Sequence, residues 1–209
     1  RAVDLVRIGV AAGYFDARAA ADRVRSYAAP LRARYRSWEA LASDFEAGMD
    51  EIFTLIPGMS QGAMDDMTGQ VQDFAREFGV LPDQVIPALY QSISAGVPPG
   101  NVFDFLETAQ KLARAGATDL ETAVDGLTST VNAYGQENLS AAEASDVLFT
   151  AVRVGKTTVQ EMSDALFQVN PIAASAGIEF GDVAAAMSTL ASKGVPTSVA
   201  ATQIRQALV

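Results

Sequence analysis

"TDLETAVDGLTSTVNAYG", residues 118–135, places Leu120, Ala123, Val124, Leu127, Val131 and Tyr134 at i, i+3, i+4, i+7, i+11 and i+14. That is the period of one helix face, not of a strand. Thr118 or Asp119 supplies a side-chain oxygen for the first free N–H groups, and Glu121 stands three residues after Thr118, the spacing of a capping box. Gly135 then ends the run. The stretch predicts a capped amphipathic helix with a defined stop.

Working outward, the same grammar recurs. Gly79, Gly96, Gly116, Gly135, Gly155, Gly177 and Gly194 follow at intervals of 17, 20, 19, 20, 22 and 17 residues, most of them closing an apolar-periodic run. Val80, Val97, Ile178 and Val195 stand beside such glycines, where an apolar residue packs back on the last turn. Caps are expected at Asp83, Asn101, Thr118 or Asp119, Ser140, Thr157 or Thr158, and Ser198; "SAAE" adds a second capping box, Ser140 with Glu143. Val159, Met162, Leu166 and Val169 repeat the helical period, as do Val183, Ala186, Met187 and Leu190. Helices of about 10 to 16 residues are marginal alone in water and must bury their faces against one another. The expected fold is therefore all-α, an array of short amphipathic helices joined by Gly-containing turns. Pro87 falls near a helix start, and Asn170-Pro171 breaks or kinks the run over 159–176. "GVP" occurs at 96–98 and again at 194–196, a hint of a reused unit too local to define a solenoid.

The first part of the chain differs in charge. Residues 1–50 hold eight Arg against seven acids, and the remaining residues hold seven Lys and Arg against eighteen acids, within a total of -10. "IPGMSQGAM", residues 56–64, carries Pro57, Gly58, Ser60 and Gly62 and reads as a turn or linker. The expected organisation is an Arg-rich helical segment over 1–55, built of three helices, and a second helical domain over 64–209. Asp16 and Ser37 are the expected caps of the second and third of those helices. Arg32, Arg34 and Arg36 lie near Glu39, Asp44 and Glu46 without an aromatic platform, so they read as a solvated helix face. Trp38, Leu41, Phe45, Met49 and Ile52 form the apolar stripe of the third helix, and core packing is the expected role of Trp38.

Whole classes of chemistry lose their usual parts. The chain has no Cys and no His, so thiolate nucleophiles, imidazole bases, disulfides and Cys/His zinc sites are out. "GKTT" (155–158) imitates the end of a phosphate-binding loop, but Thr150 stands where the first glycine belongs and the preceding run is helical. Carboxylate pairs such as Asp104 and Glu107 fit an acidic helix surface, in which first-turn acids favour the helix dipole. The acidic balance of the second part disfavours nucleic-acid binding. No catalytic, cofactor-binding or metal-binding residue is expected, and no run of 18 apolar residues reads as a membrane span. Arg1 at the start and an uncapped apolar run at Val209 point to a piece of a longer chain. Tyr90, Phe103, Phe105 and Tyr134 are the candidates for surface contacts, with core packing the rival role for each.

Two resemblances add to this. Arg1-Ala2-Val3, Arg7, Gly9, Ala12-Gly13-Tyr14, Tyr35, Ser37-Trp38-Glu39 and Gly48 resemble a bacterial domain family of unknown function, departing from it at Ile8 and at "ARAAAD". From about Met64 to Val209, "ALYQSISAGVP", "TDLETAVDGLTSTVNAYG", "FTAVRVGKTT" and "GVPTSVAATQIRQAL" resemble the core region of phage tail tape measure proteins, a minor tail protein family. The resemblance implies a long, mainly helical structural protein in the tail lumen of the virion, assembled in the host cytoplasm. Such a protein templates the tail tube, sets tail length and assists DNA ejection. Its implied partners are tail tube and tail assembly proteins and further copies of itself, with no small-molecule substrate. The alternative is an α-helical interaction or scaffold module of a bacterial secretion or injection machine. An enzyme would need a catalytic domain outside this stretch.

Overall fold

A computed structural model of the chain describes residues 38–209, with side chains from Ala40 onward. The first two expected helices, with their Asp16 cap, and the Arg32, Arg34 and Arg36 cluster lie outside the described residues. Contacts divide the chain into Arg1–Ala47 and Gly48–Val209, and the second unit is the subject below. Among the described residues all regular structure is helical: α1 (Trp38–Thr54), α2 (Gln61–Phe78), α3 (Pro82–Ser94), α4 (Val102–Ala115), α5 (Leu120–Tyr134), α6 (Ala141–Gly155), α7 (Val159–Leu166), α8 (Asn170–Ser175), α9 (Phe180–Ser192) and α10 (Thr197–Ala207), with a 3-10 turn at Pro99–Asn101. The turn expected at 56–64 is shorter: the chain turns between Thr54 and Gln61, and 61–64 already belong to α2, capped by Ser60. The division by contacts falls inside α1.

The helices stack in two layers. One contains α3, α5, α7 with α8, and α10; the other contains α2, α4, α6 and α9; each helix packs on its neighbours within the layer and on the helix before or after it in the other. Matched positions meet along the first layer. Gln91 donates to Asp125 (3.0 Å), the side chains of Thr122 and Gln160 meet at 3.1 Å, and those of Thr157 and Thr197 at 2.9 Å. Neighbours in that layer therefore run parallel.

This stacking has a sequence period. Helices α4, α6 and α9 start at 102, 141 and 180, steps of 39; α3, α5, α7 and α10 start at 82, 120, 159 and 197, steps of 38 or 39. Gly116, Gly155 and Gly194 keep the same 39-residue spacing. The array is a repeat of helix pairs, in which each pair completes the core of the next. The two "GVP" stretches are not its repeat. Gly96 leads from one pair to the next, whereas Gly194 is the elbow within a pair, so their likeness reflects a shared way of ending a helix.

That ending recurs at six of the joints. The N–H groups of Val80, Val97, Thr118, Thr157, Ile178 and Val195 each reach back five residues, to the carbonyls of Ala75, Ser92, Ala113, Val152, Ala173 and Leu190, at 2.9 to 3.4 Å. Such a closure needs a left-handed residue just before the donor. Gly79 takes that role after α2 with φ 62° and ψ 33°. At two joints a non-glycine does so: Ala117 (φ 52°) and Lys156 (φ 55°).

Helix starts follow the expected caps in part. Asp119 accepts from the Thr122 N–H (2.8 Å), and Thr158 accepts from the Glu161 N–H (3.1 Å). Ser140 and Glu143 form the full reciprocal box, with the Glu143 N–H donating to Ser140 Oγ and the Ser140 N–H to Glu143 Oε2. The "TDLE" box does not form, because the cap is Asp119 and the residue three beyond it is Thr122. Asp83 and Ser198 are not caps. Pro82 occupies the first position of α3, with the Leu81 N–H bound to Gln84, and α10 starts at Thr197 directly after Pro196. A proline with φ preset for the helix takes the place a polar cap would hold. Asn101 stands at its cap position without a side-chain bond, since the 3-10 turn leads into α4 instead. Pro87 lies inside α3 rather than at its start.

The core is apolar and follows the predicted period. Leu120, Ala123, Val124, Leu127 and Val131 of α5 are buried, as are Val159, Met162, Leu166 and Val169, and Val183 and Met187. Ala186 is exposed and Ala184 buried in its place. Met49 and Ile52 continue the core into α1.

Candidate functional site

No side-chain constellation singles out a reaction centre among the described residues, so surfaces are the place to look. A cleft of 590 Å³ opens between α1, α3 and α5, bounded by Glu51, Pro87, Tyr90, Gln91, Glu121 and Asp125 among others. A second, of 380 Å³, lies between the α3–α4 and α5–α6 joints, with Val97, Asp104, Phe105 and Asn132 on its walls. A third, of 420 Å³, lies at the elbows of the last two pairs and includes Lys156, Thr157, Glu161 and Thr197.

The four candidate contact residues separate. Tyr90 lines the first cleft and is half-buried. Phe103 is half-buried on α4. Phe105 is a core residue, 8% exposed, although its edge reaches the second cleft. Tyr134 packs edge-on against Phe180, with ring centroids 5.7 Å apart, and its hydroxyl is buried without a hydrogen-bond partner. Burial pushes that hydroxyl up to about 12, so it stays protonated at any physiological pH. Phe167, which the periodicity did not single out, is at 68% the most exposed internal large apolar residue among the described residues.

The "GKTT" residues form a helix elbow, not a phosphate loop. Gly155 ends α6, Lys156 takes the left-handed turn, the Thr157 hydroxyl donates to Glu161, and Thr158 caps α7. The acids divide between caps and an open face. The Thr122 backbone N–H holds the Asp119 carboxyl below the usual carboxylate value, and the Ser140 hydroxyl does the same for Glu143. Helices α3, α5 and α7 carry Asp83, Glu121, Asp125, Glu161 and Asp164 and no Lys or Arg, while α10 in the same layer carries Arg205 in its last turn. Among the described residues no group of three or more Asp or Glu is placed to hold a metal ion, and no helix is long and apolar enough to cross a membrane.

The fold defines a class, the all-α arrays built of stacked helix pairs. The model of one family, described as phage-related minor tail protein, matches residues 68–209. The chain belongs to that family. It is similar to the probable tape measure protein of Clostridium phage phiCD119 (strain Clostridium difficile/United States/Govind/2006), 28% identical over 147 residues, 68% of this chain and 16% of that protein. It is also similar to the tape measure protein of Pneumococcus phage Dp-1, 24% identical over 168 residues, 80% of this chain and 14% of that protein. The chain thus matches only about one sixth of the length of the first relative and one seventh of the second. No solved structure matches it.

Proposed function

We propose that the chain is the core region of a tape measure protein: a structural component of the phage tail that templates tube assembly, takes part in setting tail length and assists DNA ejection. The observation that carries this reading is the family match over residues 68–209 together with two relatives that bear the tape measure name. Its partners in this reading are tail tube and tail assembly proteins and other copies of the protein, within the tail lumen, and it performs no catalysis. We also propose the organisation 1–55 and 64–209, the second being the tape-measure core.

Within such a protein the array serves as a folded assembly module and not as the ruler. An extended helix rises about 1.5 Å per residue, so a ruler converts residues to length linearly. Paired helices that reverse direction at every elbow gain far less length per residue. Deleting residues 64–209 from the full reading frame in its phage is expected to abolish tail tubes in electron micrographs; normal tube initiation would overturn the proposal. Duplicating residues 140–178, one repeat, is expected to leave tail length unchanged. A tail longer by about 58 Å, 39 residues at about 1.5 Å each, would make the array itself part of the ruler.

A further inference from the structure

One repeat register down from α5, the chain does something different. Helix α5 is unbroken over Leu120–Tyr134, whereas the equivalent stretch stops at Leu166, turns through 167–169 and resumes as the six-residue α8, Asn170–Ser175. Pro171 explains the break, since proline supplies no N–H for the carbonyl four residues back, at Phe167, and its ring crowds that carbonyl. The turn is held by three-residue bonds from Gln168 to Ala165 and from Val169 to Leu166, and it leaves Phe167 68% exposed.

The attachment beneath the break combines two small buried apolar side chains, Val169 and Ala173, with a polar contact that is incompletely satisfied. Asn170, 1% exposed, donates from Nδ2 to Thr130 Oγ1 on α5 (3.1 Å), while its Oδ1 has no partner. Four residues earlier on α5, Gly126 faces Ser163 of α7, whose buried Oγ is also without a partner. A buried amide with one end unpaired gains hydration when it is exposed, so this contact opposes its own closure. A helix of six residues has little stability of its own. On either side the chain is anchored by apolar burial, at Met162 and Leu166 in α7 and at Phe180 and Val183 in α9.

We propose that residues 167–178 form a flap, latched to α5 by the Asn170–Thr130 bond, that opens while the rest of the array stays folded. Opening exposes Asn170 and the inner side of α8 together with the already exposed Phe167, and gives the array one movable joint among rigid elbows. Hydrogen exchange followed by mass spectrometry on the intact protein tests this. Amides of 170–178 are expected to exchange at least about tenfold faster than those of α5. Thr130→Val, which removes the acceptor and keeps the shape, is expected to accelerate 170–178 a further tenfold or so and to leave α2–α4 unchanged. Asn170→Leu combined with Thr130→Val, which fills the seam and leaves no unpaired side-chain polar atom on either side, is expected to slow the same peptides. Protection of 170–178 equal to α5 would overturn the proposal. So would a Thr130→Val effect spread evenly over all helices, or faster exchange in the double variant than in the parent with the other helices still protected.

Discussion

In the second helix pair the chain turns from α4 into α5 over Gly116-Ala117-Thr118; 39 residues later it turns from α6 into α7 over Gly155-Lys156-Thr157, and after another 39 from α9 into α10 over Gly194-Val195-Pro196. The glycine is shared, but its task is not. At Gly194 the backbone is left-handed, φ 91°, and a Cβ would meet open space. At Gly116 a Cβ would lie 2.3 Å from Val159 Cγ2, and at Gly155 it would lie 3.1 Å from the Ser188 Cα across the α6–α9 contact. There the glycine serves the close approach of two helices, and the left-handed turn passes to the next residue, Ala117 or Lys156. Each elbow makes two demands, a small residue at the crossing and a left-handed one in the turn. Where the crossing is tight, it takes the glycine.

The sharpest way to break that comparison is to add side chains at both kinds of elbow. Gly155→Val is expected to lower the stability of the array by about 2–3 kcal/mol, because the obstructing group is backbone and cannot rotate away. Gly116→Ala is expected to lie between, since Val159 is a stiff β-branched side chain, and Val159→Ala in the same protein should relieve most of that added strain. Gly194→Ala is expected to cost about 1 kcal/mol from backbone strain alone, with no neighbour whose truncation rescues it. Urea unfolding of the variants measures all of these. Rescue of Gly194→Ala by trimming a neighbour, or none for Gly116→Ala, would erase the distinction.

The converse changes sharpen it. Lys156→Gly and Ala117→Gly place glycine where the chain already turns left-handed, and each is expected to stabilise by about 1 kcal/mol at most, the relief of strain being partly offset by the freedom glycine adds to the unfolded chain. Val195→Gly, at the matching position of the last elbow, lacks that strain to relieve and is expected to destabilise. Thermal unfolding of the three variants gives the signs directly.

How far the sequence revealed this depends on what was being read. Helix period and stops were legible because they depend on local chemistry: Leu120 to Val131 is buried as spaced, and Ser140 with Glu143 closes its box. The all-α class followed from those marks alone. Caps failed at Asp83 and Ser198, where Pro82 and Pro196 set the backbone at the helix start. The repeat was hidden for a different reason. Its positions are fixed by which helices touch, and the touching residues are small or apolar and freely exchanged, as at Ala109, Leu148 and Met187, all buried 39 residues apart. Meanwhile "GVP" offered a louder match between joints that are not equivalent. Of the contact candidates, Phe105 went to the core because periodicity cannot tell the buried edge of a stripe from its rim.

The smallest effect concerns how the two middle elbows start their next helix. Asp119 caps α5 with a carboxylate, whereas Thr158 caps α7 with a hydroxyl that does not titrate. The Thr122 N–H favours the charged form of Asp119 in the folded chain, so its folded pKa is below its unfolded one. The stabilisation is therefore fully present above the unfolded value, near 4, and is lost as pH falls through the folded value. Asp119→Thr, which copies the third pair into the second, keeps a cap and removes the titration. The urea midpoints of the parent and Asp119→Thr are thus expected to differ most above about pH 5 and to converge toward pH 3. A residual decline with falling pH persists in the variant because Glu143, favoured as a carboxylate by the Ser140 hydroxyl, still titrates in the next cap. A gap between the two proteins that stays constant from pH 5 to pH 3 would mean that the Asp119 charge contributes nothing beyond the geometry it shares with threonine, and that the two elbows are equivalent at this position.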